Sequence, residues 1–209
     1  KEKSCLRKEF EEEFNREAGA YHEEGCPTPE YRPEKAGVLK KQNANWKVLP
    51  YFNLSHLDQI RLTWIISEEV RKGNLIKWEP GMDLPLHASP AFIAARKGHL
   101  TGRMVVDFRV YNQQIQIPCF SMPNSENILA DLTEGDAEYF GASDLATGYF
   151  HAQLDDSEVP FLALTTPDGI YFSKKLQLGP SWAPAWFQSR SRSAFPPEFH
   201  VYIDDILFK

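Results

Sequence analysis

The sequence predicts an α+β fold with antiparallel strands, and three stretches carry that expectation. The closing run Phe199–Phe208 alternates strand formers around the adjacent acids Asp204 and Asp205, which reads as a β-hairpin with the acids at or beside its turn. Ala91–Ala95 and Met104–Phe108 read as a second pair of strands joined by a polar loop, Arg96 to Gly102. Between arm and strands, Leu57, Ile60, Leu62, Trp64, Ile65 and Val70 repeat at helical spacing, with Ser55 as N-cap and Gly73 as stop.

In chain order, residues 1–45 alternate a Glu-rich segment with the Pro-rich loop Cys26–Pro33 and are expected to form an arm or linker without chemistry of its own. The helix after Ser55 and the short apolar run Asn74–Trp78 come next, and core packing is the expected role of Trp64 and Trp78. Asp131–Asp136 reads as a surface helix end with solvated acids. A further apolar run then ends at Asp144, followed by the small-residue turn Ala146–Gly148 and by Tyr149. Asp155-Asp156 lacks a double apolar flank and reads as a strand-end turn, and His151 has no Cys or His at metal-ligand spacing. Pro196-Pro197 ends whatever helix precedes it, and the Ser-Arg repeat before them reads as exposed helix.

Composition bounds the class. With 42% hydrophobic and 13% aromatic residues in 209, the chain can bury one substantial core or two small ones. Its apolar runs are short and broken by charge and its first residues lack an apolar stretch, so neither a transmembrane helix nor a secretory signal is expected. Cys5, Cys26 and Cys119 are odd in number, far apart and outside any Cys-x-x-Cys spacing, which points to reduced thiols and an intracellular setting rather than to disulfides or zinc.

Two readings of Asp204-Asp205 stand on residues alone: a solvated acidic turn, or a site where a cation relieves the repulsion of carboxylates held near a core. A third acid, Asp144, at the end of another apolar run favours the second reading, because nucleotidyl transfer uses two divalent ions about 4 Å apart on oxygen ligands.

The order of motifs resembles the reverse transcriptases of LTR retrotransposons, nearest the Ty3/gypsy type. Tyr202-Ile203-Asp204-Asp205 is similar to the Tyr-x-Asp-Asp box and Asp144-Leu145 to the first aspartate box. Ser89-Pro90, Arg96-Lys97-Gly98 and Arg103 through Asn112 resemble the fingers signature, and Ala183-Pro184-Ala185-Trp186-Phe187-Gln188 resembles the Ala-Pro-Ala-x-Phe-Gln stretch. The match runs from about residue 60 to 208. It implies fingers over residues 46–119 and 152–179 and a palm over 120–151 and 180–209, with an antiparallel palm sheet and helices on one face.

The resemblance further implies an RNA-directed DNA polymerase acting on an RNA/DNA primer-template and dNTPs, with two Mg2+ or Mn2+ ions held by Asp144, Asp204, Asp205 and the Leu145 carbonyl. Lys97, Arg103, Ala146, Thr147, Tyr149 and Leu178 would form the nucleotide pocket, Tyr149 lying beneath the sugar and excluding a 2'-hydroxyl. Departures accompany the match. Leu176-Gln177-Leu178-Gly179 replaces Met-Pro-Phe-Gly, the interval from Gln188 to Tyr202 is about two helical turns short, and the family's thumb is expected to be absent. A net charge of -6 is unusual for a nucleic-acid binder, although much of the acid falls outside the matched region while Arg96, Lys97, Arg103 and Arg109 cluster within it. The alternative is a domesticated, inactive reverse-transcriptase-like module serving as a structural or protein-interaction subunit. Neither reading places the chain at a membrane.

Overall fold

The structure is a computed structural model that describes residues 35–96, 99–117, 122–135, 139–145 and 148–209. Helix α1, His56–Arg71, begins where capping chemistry predicts: the Ser55 side chain accepts from Asp58 N at 3.2 Å. It stops at Lys72, and Gly73 takes a φ of 75° that favours glycine. Its buried face is Leu62, Ile66 and Glu69, the acid being tied to Lys72 at 2.8 Å and Asn74 at 2.7 Å. Leu57, Ile60 and Trp64 lie on the solvent side, Trp64 being 54% exposed, so the expected core role of Trp64 is wrong. Apolar residues occupy two stripes of this helix, and helical spacing alone does not say which stripe meets the body. Trp78 is half-buried and donates its Nε1 proton to Met82 O at 3.2 Å.

Five strands form the larger sheet: β1 (Leu75–Lys77), β2 (Ala88–Arg96), β3 (His99–Val106), β5 (Ala163–Thr166) and β6 (Gly169–Ser173), in the order β1-β6-β5-β2-β3. The β2–β3 hairpin pairs Ala91 with Val106 and Ala94 with Arg103, and its register shifts between Ala94 and Arg96. Gly102 makes that irregularity possible. Its φ is 67° and a Cβ there would lie 2.8 Å from Ala94 O. The sheet is mixed rather than wholly antiparallel, because β2 runs parallel to β5 with Ala88 opposite Ala163. Every residue of β5 is buried, as a strand covered on both faces must be.

The smaller sheet is antiparallel in the order β4-β8-β7, from β4 (Gly141–Asp144), β7 (His200–Tyr202) and β8 (Asp205–Phe208). Short helices α2 (Arg109–Gln114), α3 (Ser125–Thr133) and α4 (Gly148–His151) connect the parts, and α5 (Ala183–Ala194) packs on β7. Pro184 sits in the first turn of α5 and Pro196 follows its last, the two places a helix accepts proline. Trp182 and Tyr111, both fully buried, join α5 to α2 through a hydrogen bond of 3.0 Å from the indole to the phenol. Trp46 packs edge-on to Phe161 and His87 beside them.

The arm expected over residues 1–45 lies largely outside the described residues. From Lys35 onward it runs along the body, bridging Ala36 to Leu154 and Lys40 to Ile115. Glu158, 3% exposed, holds this segment: Lys40 Nζ reaches its carboxylate at 2.6 Å, Val38 N at 3.3 Å, and the Lys40 head lies 4.4 Å over the Phe161 ring.

Candidate functional site

The acid-bearing hairpin forms as its sequence predicts. Strand β7 ends at Tyr202, Ile203 and Asp204 make the turn, and Asp205 opens β8. Asp144 ends β4 directly opposite Asp205, so side-chain alternation puts these two carboxylates on one face. Leu145 N donates to Asp204 O at 2.8 Å, which carries the pairing one residue past Asp144 and ties both acid-bearing ends together. The Leu145 carbonyl accepts from Gly148 N at 3.0 Å and keeps a second lone pair.

A cavity of about 750 Å3 opens between the hairpin and the larger sheet, lined by Gly102, Arg103, Asp144, Leu145, Gly148, Tyr149, Phe150, Leu178, Ile203 and Asp204. Seven of the residues singled out from sequence are described, and six of them line it: Arg103, Asp144, Leu145, Tyr149, Leu178 and Asp204. Asp205 does not; it faces Asp144 across the strands instead. Lys97, Ala146 and Thr147, and with them the expected triphosphate turn, lie outside the described residues.

Charges of both signs face this cavity. Arg103 is exposed and has no ion-pair partner among the described residues, whereas Arg109 is held by Asp107 at 2.6 Å and is less available as a free cation. That contact holds the Asp107 carboxyl below the usual range. Tyr149 is 9% exposed and stacks on Phe187, with centroids 4.7 Å apart and planes at 17°. Burial, and then the charge of Asp204, push its phenol up to about 12, so it stays neutral and serves as a flat wall. Gly148 is part of the same packing, since a Cβ there would come within 2.7 Å of the Phe187 ring.

The donor set around Asp144 and Asp204 is all oxygen, which suits magnesium or manganese rather than zinc. Among the described residues no three His, Cys, Asp or Glu are gathered closely enough to form a ready cage. The acids stand as two pairs sharing Asp144, one set by strand register and one by the cavity. Like charges opposite each other repel until a cation joins them.

Three residues that sequence reasoning left without a role help build this site. Phe187 supports Tyr149, and Gln188 bonds the backbone on both sides of Tyr202. Asn112 donates to Gly179 O at 3.1 Å and accepts from Ser181 N at 2.8 Å, fixing the loop that follows Leu178. Phe187 and Gln188 adjoin in α5, and their burial side by side marks a face turned to the acidic hairpin. His151 is exposed and lies off the cavity. Among the described residues no helix is long and apolar enough to cross a membrane.

No family model matches the chain. Curated relatives do. Over 146 residues, 67% of this chain, it is 29% identical to a putative enzymatic polyprotein of Cassava vein mosaic virus, of which it covers 22%. Over 128 residues, 57% of this chain, it is 32% identical to the retrovirus-related Pol polyprotein from transposon 297 of Drosophila melanogaster, covering 12% of it. The enzymatic polyprotein of Cauliflower mosaic virus (strain NY8153) is 32% identical over 127 residues, 58% of this chain and 18% of that polyprotein. The chain thus spans about a fifth or less of these relatives. Among solved structures, the foamy viral protease-reverse transcriptase in complex with RNA/DNA hybrid superposes with a TM-score of 0.70 at 19% identity, over 85% of this chain and 23% of that one. Its complex with dsDNA gives 0.65 at 20% identity, over 84% and 36%. The homologues are thus retroviral and retrotransposon Pol polyproteins, and the chain has a reverse-transcriptase-like fold.

Proposed function

We propose, from this kinship with Pol polyproteins, that the chain is the fingers and palm of an RNA-directed DNA polymerase of a retrotransposon-like element. The fingers would comprise residues 46–119 and 152–179, the palm residues 120–151 and 180–209. The observation that carries the reading is the meeting of Asp144, Asp204, Tyr149, Arg103 and Leu178 around one cavity from four separate segments of the chain. Solved structures of the fold in complex with RNA/DNA hybrid and dsDNA support a nucleic-acid partner.

Each side chain has a distinct task in this reading. Asp144 and Asp204, with Asp205 and the Leu145 carbonyl, would hold two divalent ions. Bound there, such ions activate the attacking hydroxyl and neutralise charge on the leaving oxygen. Arg103 meets the triphosphate through its planar fork of donors. Tyr149, kept flat by Phe187, forms the floor beneath the sugar, and Leu178 supplies an apolar contact on the nucleotide. The primer 3'-hydroxyl attacks the α-phosphorus, the bond to the bridging oxygen breaks, and pyrophosphate leaves.

Primer extension on an RNA template with dNTPs and magnesium tests this, with Asp204→Asn and Asp205→Asn forms alongside. Incorporation that falls on the order of 100-fold or more in Asp204→Asn is the expected outcome. No incorporation by a folded sample at high protein and primer concentration would favour the structural or protein-interaction subunit instead.

A further inference from the structure

The turn that presents Asp204 holds a conformation its own sequence disfavours. Ile203 has a φ of 58°, the only positive φ of a non-glycine residue among the described residues. A β-branched side chain crowds the backbone there, and such residues rarely adopt it without outside support. Residues of this kind persist where the surroundings over-determine them.

That support comes from Gln188 in α5, which is 3% exposed. Its Oε1 accepts from Ile203 N at 2.5 Å and its Nε2 donates to Val201 O at 2.7 Å. The backbone carbonyl only accepts and the backbone amide only donates, so the carboxamide fits in one sense. No other side chain of this length offers both: an ionised glutamate cannot donate to Val201 O, and methionine has no donor and only a weak sulfur acceptor. The far side of the turn is pinned separately, Asp204 O accepting from Leu145 N at 2.8 Å. The turn is therefore bracketed, with Gln188 before Asp204 and Leu145 after it.

We infer that Gln188 is a positioning residue. By bridging Val201 O and Ile203 N–H it holds Ile203 in the left-handed region and so sets the direction in which Asp204 offers its carboxylate. Gln188 does not line the cavity, and its effect on any ligand passes through the hairpin. The consequence for cation binding rests on the polymerase reading above; the conformational role does not.

Amide hydrogen exchange followed by NMR on the whole chain tests the conformational role. In Gln188→Met the Ile203 amide should exchange about tenfold faster, the scale of one lost buried hydrogen bond, while Ala142 and Ile206 in the same sheet keep their protection. Gln188→Glu retains an acceptor for Ile203 and loses the donor to Val201, so its Ile203 exchange should fall between parent and Gln188→Met; it decides the matter if Gln188→Met does not fold. Unchanged Ile203 exchange in the folded variants overturns the proposal, and so does a uniform loss of protection through the whole sheet in both. Calorimetric titration with Mn2+ reads the consequence: Gln188→Met should bind about threefold or more weakly, and equal affinity overturns Gln188 as the residue that aims Asp204. Parent binding indifferent to Asp204→Asn counts against the polymerase reading, and Ile203 exchange then judges Gln188 alone.

Discussion

Replacing Lys40 with methionine should destabilise the protein far more than loss of a surface ion pair. The substitution keeps the apolar stem over Phe161 and removes the charge 2.6 Å from Glu158. Glu158 is 3% exposed, and its remaining contact on that oxygen is the 3.3 Å bond from Val38 N, while its other oxygen has no hydrogen-bond partner among the described residues. Removing one partner of a buried pair costs about 3–5 kcal/mol because the other charge stays desolvated. The Lys40 side chain is 23% exposed, so water reaches that side of the pair and the expected loss is about 2–3 kcal/mol, at or below the lower end of that range. With a urea slope of roughly 2 kcal/mol per molar, the midpoint should fall by about 1 M or slightly more. Glu158→Gln should cost less, since the freed ammonium can turn to solvent. The double variant should be more stable than the sum of the single losses implies, by about 1 kcal/mol or more. A Lys40→Met midpoint within 0.2 M of the parent, the ~0.5 kcal/mol expected of an exposed pair, would refute the reasoning.

Two further outcomes follow from buried rings. Burial lowers the His87 pKa from its ordinary 6.5 to about 4, so below pH 6.5 the unfolded chain takes up a proton that the native state refuses. Stability should therefore fall as pH drops from about 6.5 to about 4, by about 3 kcal/mol in full, with no contribution above that window. Urea midpoints at pH 7 and 4.5 measure it, and a His87→Gln form that loses as much as the parent would sink the assignment. At the cavity, Tyr149→Val removes the ring stacked on Phe187 and should cut the preference for dNTP over rNTP on the order of tenfold or more, whereas Tyr149→Phe should leave it nearly intact. The ratio of kcat/KM values reads this, and an unchanged ratio in Tyr149→Val means the ring is not the floor beneath the sugar.

What could be read from sequence was what local chemistry decides. The alternation of Phe199–Phe208 gave the hairpin and its turn, Ser55 and Gly73 bracketed α1, and Gly102 sits in the irregular hairpin where only a small residue fits. Arg103, Asp144, Tyr149 and Asp204 share a cavity through ordered motifs that fold to one place. The exposed side of α1 was not legible, because Leu57, Ile60 and Trp64 satisfy helical spacing as well as Leu62 and Ile66 do. Nor was the parallel pairing of β2 with β5, which depends on segments far apart in sequence. The roles of Gln188 and Glu158 were not legible for a third reason: a polar residue declares its burial only through a distant partner, here the Ile203 amide and the Lys40 ammonium.

Strand β4 has β8 as its neighbour and no other strand among those described, whereas β2 finds β3 almost at once. During synthesis the larger hairpin can close while its residues are still leaving the ribosome. Gly141–Asp144 must wait, an open edge, for Asp205–Phe208 to arrive. Contacts of such long separation slow folding, since loop closure is unfavourable until the pairing that rewards it forms. The acidic cavity thus takes shape after the larger hairpin has closed, and the interval before it does is when chaperones or stray strands have access to that edge.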